Sequence, residues 1–413
     1  MKQKKVLCLF DYIARTGFGT VSKNIVKEIK NHYGEDVLLD IIAINYFGEP
    51  FYDEFNNYVI SAPLNDGNKD NYGRYFFLKT LQDTEAYDGI FVCQDLGVIV
   101  PFIEVMEHIK AEKKEKNKKS FKSIFYFPVD CHLVPQLVRN LEFFDLLVTY
   151  TEFGRKEVLK HRPDLKTKLK VVPHGNNSKD FYPVPTEEKT KFRKEFFGNN
   201  ADKFIITNVN RNQPRKDIPT TIFAFIETKK IWPEHLPEPF LYLHMHPSDP
   251  MGWDLRGIML QTDLVEDKHY KLLPVEFEQS MAETETVNLI YNSSDVFLTT
   301  TLGEGWGLTY SEAAACKIPI IAPYTTSFME MSNYGKNGYM LTLINPHCNY
   351  NDNVIREQAD IYEIADTLVQ VANDTQTNSP ELQLKLENNY KWVKKLEWKD
   401  VCKPWIDHFK TTF

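Results

Sequence analysis

Several features are scarce in this chain, and each scarcity excludes something. Six cysteines are scattered over 413 residues and none forms a C-x-x-C pair. Neither a disulfide scaffold nor a paired-thiol metal site is indicated, and reduced thiols in a cytoplasmic setting are the expectation. No run of about 18 apolar residues occurs. The apolar run Val6–Phe10, behind the basic start Met1–Lys5, ends at Asp11 and is too short for a signal-peptide core. Positive charge is not in excess: 49 basic against 57 acidic residues give −8. That argues against a surface that binds nucleic acid or anionic lipid throughout, while leaving room for a local basic groove. There is no D-x-D, the carboxylate pair that holds a divalent cation on a diphosphate, and no G-x-x-x-x-G-K-[ST] phosphate loop.

What is present is a globular composition, 42% hydrophobic and 26% charged. At about 100–200 residues per domain the length calls for two domains. Apolar runs alternate with helical periodicity. Val6–Phe10, Val37–Ile44, Gly89–Cys93, Ser123–Phe127 and Leu146–Thr149 read as buried parallel strands, and Val21, Ile25 and Ile29 mark a helix behind the first. The lysine-rich stretch Lys110–Lys122 reads as an exposed helix end and loop. A second series follows: strands Phe204–Val209, Phe240–Met245, Val296–Thr300 and Ile318–Ala322, with helices Pro219–Glu227, Leu308–Cys316 and Ile361–Ala372. Between the series, residues 175–200 are rich in Asn, Pro, Lys and Glu and read as a linker carrying the helix Lys189–Phe197. The helical tail carries Trp392, Trp398 and Trp405. The expected class is α/β with two parallel-sheet halves.

The segment richest in chemistry is Asp295 to Ala315. A strand ends, a glycine-rich turn follows with Gly303, Glu304, Gly305 and Gly307, and an alanine-rich helix opens at Leu308. Glycines let the backbone approach a ligand, and a helix N-terminus offers unpaired N–H groups suited to a phosphate. Glu304 in the turn and Glu312 in the helix can both reach one hydroxyl-rich ligand. A Gly-rich loop with a buried, satisfied glutamate is the plain alternative.

Glu304-x7-Glu312, in its Glu-Gly-Trp-Gly-Leu-Thr…Glu-Ala-Ala-Ala setting, resembles the E-x7-E motif of retaining GT-B glycosyltransferases of family 4, the glycosyl transferases group 1. Other segments match in order. Val171-Val-Pro-His-Gly175-Asn176…Phe181-Tyr-Pro183 is similar to the family's linker signature. Asn210-Arg211…Arg215-Lys216-Asp217 is similar to its G-R-x…K-G segment. Ala322-Pro323…Ser327…Glu330…Gly335…Gly338 and Leu396-Glu-Trp398…Trp405 also match. Three positions depart: Asn210 and Asp217 replace glycines, and Lys317 stands where a glycine usually precedes the proline of the next strand.

The resemblance implies a GT-B fold, two Rossmann-like domains facing across a cleft. An acceptor-side domain would span 1–174, a linker 175–200 and a nucleotide-sugar domain 201–390. A C-terminal helix, 391–413, would cross back to the first domain. It implies metal-independent transfer of a hexosyl or pentosyl group, with retention, from a UDP- or GDP-linked donor to an acceptor hydroxyl of unknown class, with no cofactor. Arg211 and Lys216 would hold the diphosphate and Glu312 the ribose. Glu304 would contact the donor sugar, and Gly305, Gly307, Leu308 and Thr309 would lie near sugar or phosphate. Gly17 and Gly19 would form the glycine loop of the first domain. His132, with Asp130, would lie by the reacting groups.

Rival readings remain on the residues. Gly17-Phe18-Gly19 with Asp40 loosely suggests a dinucleotide fingerprint, but Ser22 replaces the third glycine and Asp40 lies inside its apolar run. His244, His246 and Asp249 suggest a metal set that nothing else completes. Thr151-Glu152 fits a family turn or a plain helix cap. The lysines of 110–122 could serve a DNA backbone, as in phage-type transfer to hydroxymethylated pyrimidines, or form a solvated face. Lys2, Lys4 and Lys5 make only a thin basic surface for lipid. A non-catalytic sugar-nucleotide-binding protein and a sugar-nucleotide epimerase are the other functional rivals.

Overall fold

The computed structural model describes residues 3–14, 16–61, 72–274, 283–348 and 354–413. Lys2 lies outside them. The chain divides into two compact units. The first comprises Met1–Val129, Leu133–Gly175 and Trp398–Phe413, the second Asp130–His132 and Asn176–Glu397.

In the first unit the strands are β1 (Lys4–Phe10), β2 (Val37–Ala43), β3 (Phe51–Tyr52), β4 (Tyr58–Ser61), β5 (Gly89–Cys93), β6 (Lys122–Phe127), β7 (Leu146–Thr149) and β8 (Leu169–Val171). They form one sheet in the order β3-β4-β2-β1-β5-β6-β7-β8. All pairings are parallel except β3 with β4. Continuous apolar strands such as Gly89–Cys93, buried throughout, are what a sheet covered on both faces requires. The helix Gly17–Tyr33 buries Val21, Ile25 and Ile29, the stripe read from the sequence. Thr16 caps it, accepting from the Gly19 amide at 3.0 Å.

The last residues complete this unit. Trp405 packs on Phe91 and Tyr126 with ring centroids 5.1 and 4.9 Å away. Phe409 also packs on Phe91. A Cβ at Gly175 would come 2.4 Å from the Trp398 ring, so glycine is needed where the chain passes it.

The second unit holds β9 (Phe204–Val209), β10 (Pro239–His244), β11 (Tyr270–Leu272), β12 (Val296–Leu298), β13 (Ile320–Pro323) and β14 (Tyr339–Leu341). All are parallel, in the order β11-β10-β9-β12-β13-β14. A separate antiparallel hairpin pairs β15 (Leu343–Cys348) with β16 (Ile355–Ala359). The helix Thr186–Phe197 is tied to this unit by Arg193, whose guanidinium grips both oxygens of Asp295 at 3.1 and 2.8 Å. Each sheet, with its helices, is Rossmann-like.

Two of the three departures from the glycine pattern fall at left-handed backbone positions. Asp217 has φ 48° and Lys317 φ 56°. The loop geometry that glycine would adopt freely is therefore kept by side chains that must be held in place. Lys317 is held by an ion pair to Glu387 at 2.9 Å and by the Tyr390 ring.

The lysine stretch is the helix end and exposed loop that the sequence suggests, with Lys113 as the exception. Lys113 is buried, and its ammonium donates to the Thr84 carbonyl at 2.7 Å. Lys110 and Lys122 pair with Asp145, Lys118 with Glu85, Lys119 with Asp88 and Lys116 with Glu112. Charge that is locally neutralised in this way is a poor counter for a polyanion. Five of the six cysteines are buried and none is disulfide-bonded. Among the described residues no helix is long and apolar enough to cross a membrane.

Trp405→Ala is expected to lower the unfolding free energy of the first unit by about 3–5 kcal/mol, because it empties a fully buried aromatic site. Urea denaturation measures this, and a loss under about 1 kcal/mol would contradict the packing role.

Candidate active site

Strand order places the site. In the second sheet β10 lies on one side of β9 and β12 on the other, so the chain changes direction between β9 and β12. Loops leaving the C-terminal ends of two such strands diverge and open a crevice for ligand. The loop after β9 carries Arg211, Arg215 and Lys216. The loop after β12 carries Glu304, Gly305 and Gly307 and leads into the helix Leu308–Ala315. The two groups that the sequence placed about 90 residues apart therefore meet.

Their meeting is an ion cluster. Glu304 is buried, and its Oε1 accepts from the Lys216 ammonium at 2.5 Å, from the Thr301 hydroxyl at 2.9 Å and lies 3.1 Å from Arg215. Its amide donates to Thr326 Oγ1 at 2.9 Å. Burial alone would raise the Glu304 carboxyl, but Arg215 and Lys216 outweigh it and hold the group at about 2. Burial pulls the Lys216 ammonium below its ordinary value, and Glu304 opposes that pull. Arg215 donates as well to the Gly303 carbonyl.

Glu312 is set apart from this clamp. It accepts from the Tyr291 hydroxyl at 2.9 Å. Burial pushes its carboxyl up to about 7, against the pull of that hydrogen bond and of Lys216. A carboxyl poised in that way suits hydroxyl recognition. Gly307 is the N-cap of the helix at φ 107°, and a Cβ there would come 2.5 Å from Phe328 Cε1. Leu308 and Thr309, partly exposed, begin the first turn, where backbone N–H groups lack helical partners.

Asp130 joins the cluster and is not a free base. Its carboxylate lies 3.1 Å from Arg215 and 3.5 Å from Arg356. Its backbone oxygen packs on Gly303, where a Cβ would come to 2.1 Å. His132, two residues on, is exposed. Arg211 is half exposed and pairs with Asp249 at 2.9 Å.

Gly17 and Gly19 open the helix after β1, in the first unit. A Cβ at Gly19 would come 2.1 Å from the Ala14 carbonyl. Thr151 accepts from the Gly154 amide at 3.1 Å, the helix-cap reading. Burial lowers His244 to about 4, and its Nδ1 meets the Tyr242 hydroxyl at 2.8 Å. With Asp249 taken by Arg211, no group of three His, Cys, Asp or Glu suited to a metal forms among the described residues. Arg215 and Arg356 were missed in the sequence as site residues. Arg215 could have been suspected as a second cation beside Lys216; Arg356 had no local signal.

Two Rossmann-like units are the parts of a GT-B fold. Residues 261–372 match the family model described as Glycosyl transferases group 1. A probable sucrose-phosphate synthase of Thermosipho melanesiensis is 24% identical over 253 residues, 59% of this chain and 54% of that protein. The alpha-monoglucosyldiacylglycerol synthase of Acholeplasma laidlawii is 28% identical over 210 residues, 51% of this chain and 46% of that protein. The chain thus spans about half the length of the curated relatives it matches. Among solved structures, Anabaena Alr3699/HepE in complex with UDP and glucose has a TM-score of 0.67 at 15% identity, covering 99% of this chain and 100% of that one. Sucrose-phosphate synthase of Thermosynechococcus elongatus has a TM-score of 0.69 at 15% identity, covering 99% and 98%. At such identities the likeness to the solved structures is one of fold. The resemblance read from the motifs is carried by the family model and both relatives.

The two glutamates give opposite pH signatures. Glu304, held low, contributes stability that is present above its ordinary 4.5 and lost as pH falls through about 2. Glu312, held high, contributes stability present below 4.5 and lost as pH rises through about 7. Glu312→Gln is expected to flatten the decline between pH 4.5 and about 7 in urea unfolding, removing roughly one proton of linkage. An unchanged slope would contradict the raised value.

Proposed function

We propose that the chain is a retaining glycosyltransferase that moves a hexosyl or pentosyl group from a nucleotide-diphospho-sugar to an acceptor hydroxyl, without a metal or other cofactor. The observation that carries this reading is the meeting of Lys216, Arg215 and Glu304 at the strand-order reversal, beside a glycine-opened helix N-terminus. Cations and backbone N–H groups gathered there can take up the charge of a leaving nucleoside diphosphate. The bound UDP and glucose named for the Anabaena structure make a UDP-linked donor the first to try; GDP-linked donors follow.

Arg211 and Lys216 neutralise the diphosphate, with Arg211 released from its pair with Asp249. Glu304 keeps Lys216 in place and faces the donor sugar. Glu312 accepts from the ribose hydroxyls, helped by its hydrogen bond from Tyr291. Gly305, Gly307, Leu308 and Thr309 line sugar and phosphate, and Gly17 and Gly19 supply the loop of the first unit. The exposed His132 contacts the reacting groups. Glu304, the buried carboxylate of this cluster, is engaged by Lys216 and Arg215, so front-face displacement is the proposed course, with the departing phosphate accepting the acceptor's proton. The acceptor class is open. The paired lysines of 110–122 weigh against DNA. Five buried, unbridged cysteines support a cytoplasmic setting.

Lys216→Ala is expected to cut donor turnover by about 10²–10³-fold and Arg211→Ala by less, since Arg211 is half exposed. Donor hydrolysis and transfer assays measure both, with Glu304→Ala alongside. Full activity in all three variants would contradict the site. Nucleotide binding without turnover would favour the non-catalytic rival, and conversion of donor alone to an isomer the epimerase.

A further inference from the structure

Strand β16 of the hairpin exposes an isoleucine and buries an arginine. In a strand, successive side chains point to opposite faces. Along β16, Ile355 is 66% exposed while Arg356 is buried at 7%. Gln358, two residues on, lies on the same face as Arg356. On β15, Ile344 is also exposed. A hairpin kept only for stability would do the reverse, because a buried guanidinium loses hydration that only ion pairs and hydrogen bonds can replace.

The inward residues reach both ends of the ion cluster. Arg356 lies 3.5 Å from Asp130, the carboxylate that Arg215 holds from its other side. Gln358 donates to Asp217 Oδ2 at 2.7 Å and to Thr220 Oγ1 at 2.8 Å. Asp217 directly follows Lys216 and occupies the left-handed position where the motif has glycine. The hairpin therefore supplies what that departure needs. A side chain that strains the turn is received by Gln358, and the turn presenting Lys216 is fixed from outside. All these residues belong to the second unit.

On the glycosyltransferase reading, we propose that β15–β16 is a positioning element of the donor site: Arg356 fixes Asp130 and, through Arg215, Glu304, while Gln358 fixes Asp217 and so the turn that presents Lys216. Arg356 and Gln358 are positioning residues. A misplacement of about 1 Å in such a site can cost 10²-fold in rate, so the effect falls on turnover.

The test uses the full chain and donor hydrolysis with UDP-glucose, or with the GDP- or ADP-glucose that the wild type turns over. Arg356→Gln is expected to lower kcat by about 10–100-fold, with donor KM within about threefold and an unchanged Tm. Arg356→Lys should recover part of kcat. Ile355→Ser, on the outer face of the same strand, should match the wild type. If Arg356→Gln fails to fold, Gln358→Ala carries the test, with the same split at a smaller size. Variants at 356 and 358 whose kcat equals that of the wild type overturn the positioning role alone, and so does a kcat loss that only follows a fall in Tm. A wild type that neither binds nor turns over any of the three donors overturns the glycosyltransferase reading and this role with it.

Discussion

The buried contact between Lys216 and Glu304 is the constraint around which the second unit is arranged. A lone ammonium at that depth would be costly, and a lone carboxylate equally so. Together, with Arg215 and the Thr301 hydroxyl, they are satisfied. Three cations, Lys216, Arg215 and Arg356, meet Glu304 and Asp130 at the strand ends. Cations placed there are what a diphosphate needs, and they are compatible with a chain whose net charge is −8. Local placement, not total charge, decides anion binding.

Topology makes the cluster available. β9 and β12 are neighbours, and the chain leaves them toward different partners. The residues after each strand therefore meet. Three positive-φ residues lie nearby: Gly307 at φ 107°, Thr326 at φ 45° and Asp217 at φ 48°. Such conformations persist only where surrounding contacts over-determine them. Here the contacts are named: Phe328 against Gly307, the Glu304 amide on Thr326, and Gln358 on Asp217.

Much of this was legible in the sequence, and the reasons are physical. Continuous apolar runs bounded by turns located Gly89–Cys93, Leu146–Thr149 and Phe204–Val209 to the residue, because strands buried on both faces leave no ambiguity of face. Short, exposed β3 and the hairpin β15–β16 carried no such pattern and were not anticipated. Lys113 read as solvated because a lysine-rich run gives no sign of which stem turns inward. Lys216, Glu304 and Glu312 were found by their ordered motifs. Arg215 stands in a matched segment, yet its pairing with Asp130, 85 residues away, is not encoded there, and Arg356, 226 residues from Asp130, has no local signal at all.

The most direct test of the account is a thermal-shift titration of the wild type and Lys216→Ala with UDP-, GDP- and ADP-sugars. A ligand at about 100 times its Kd stabilises the folded state by about 2.7 kcal/mol, enough to raise the melting temperature visibly. The account predicts that one nucleotide-sugar raises the wild-type transition by several degrees and leaves Lys216→Ala nearly unmoved. No shift with any donor, or an equal shift in both proteins, would contradict it.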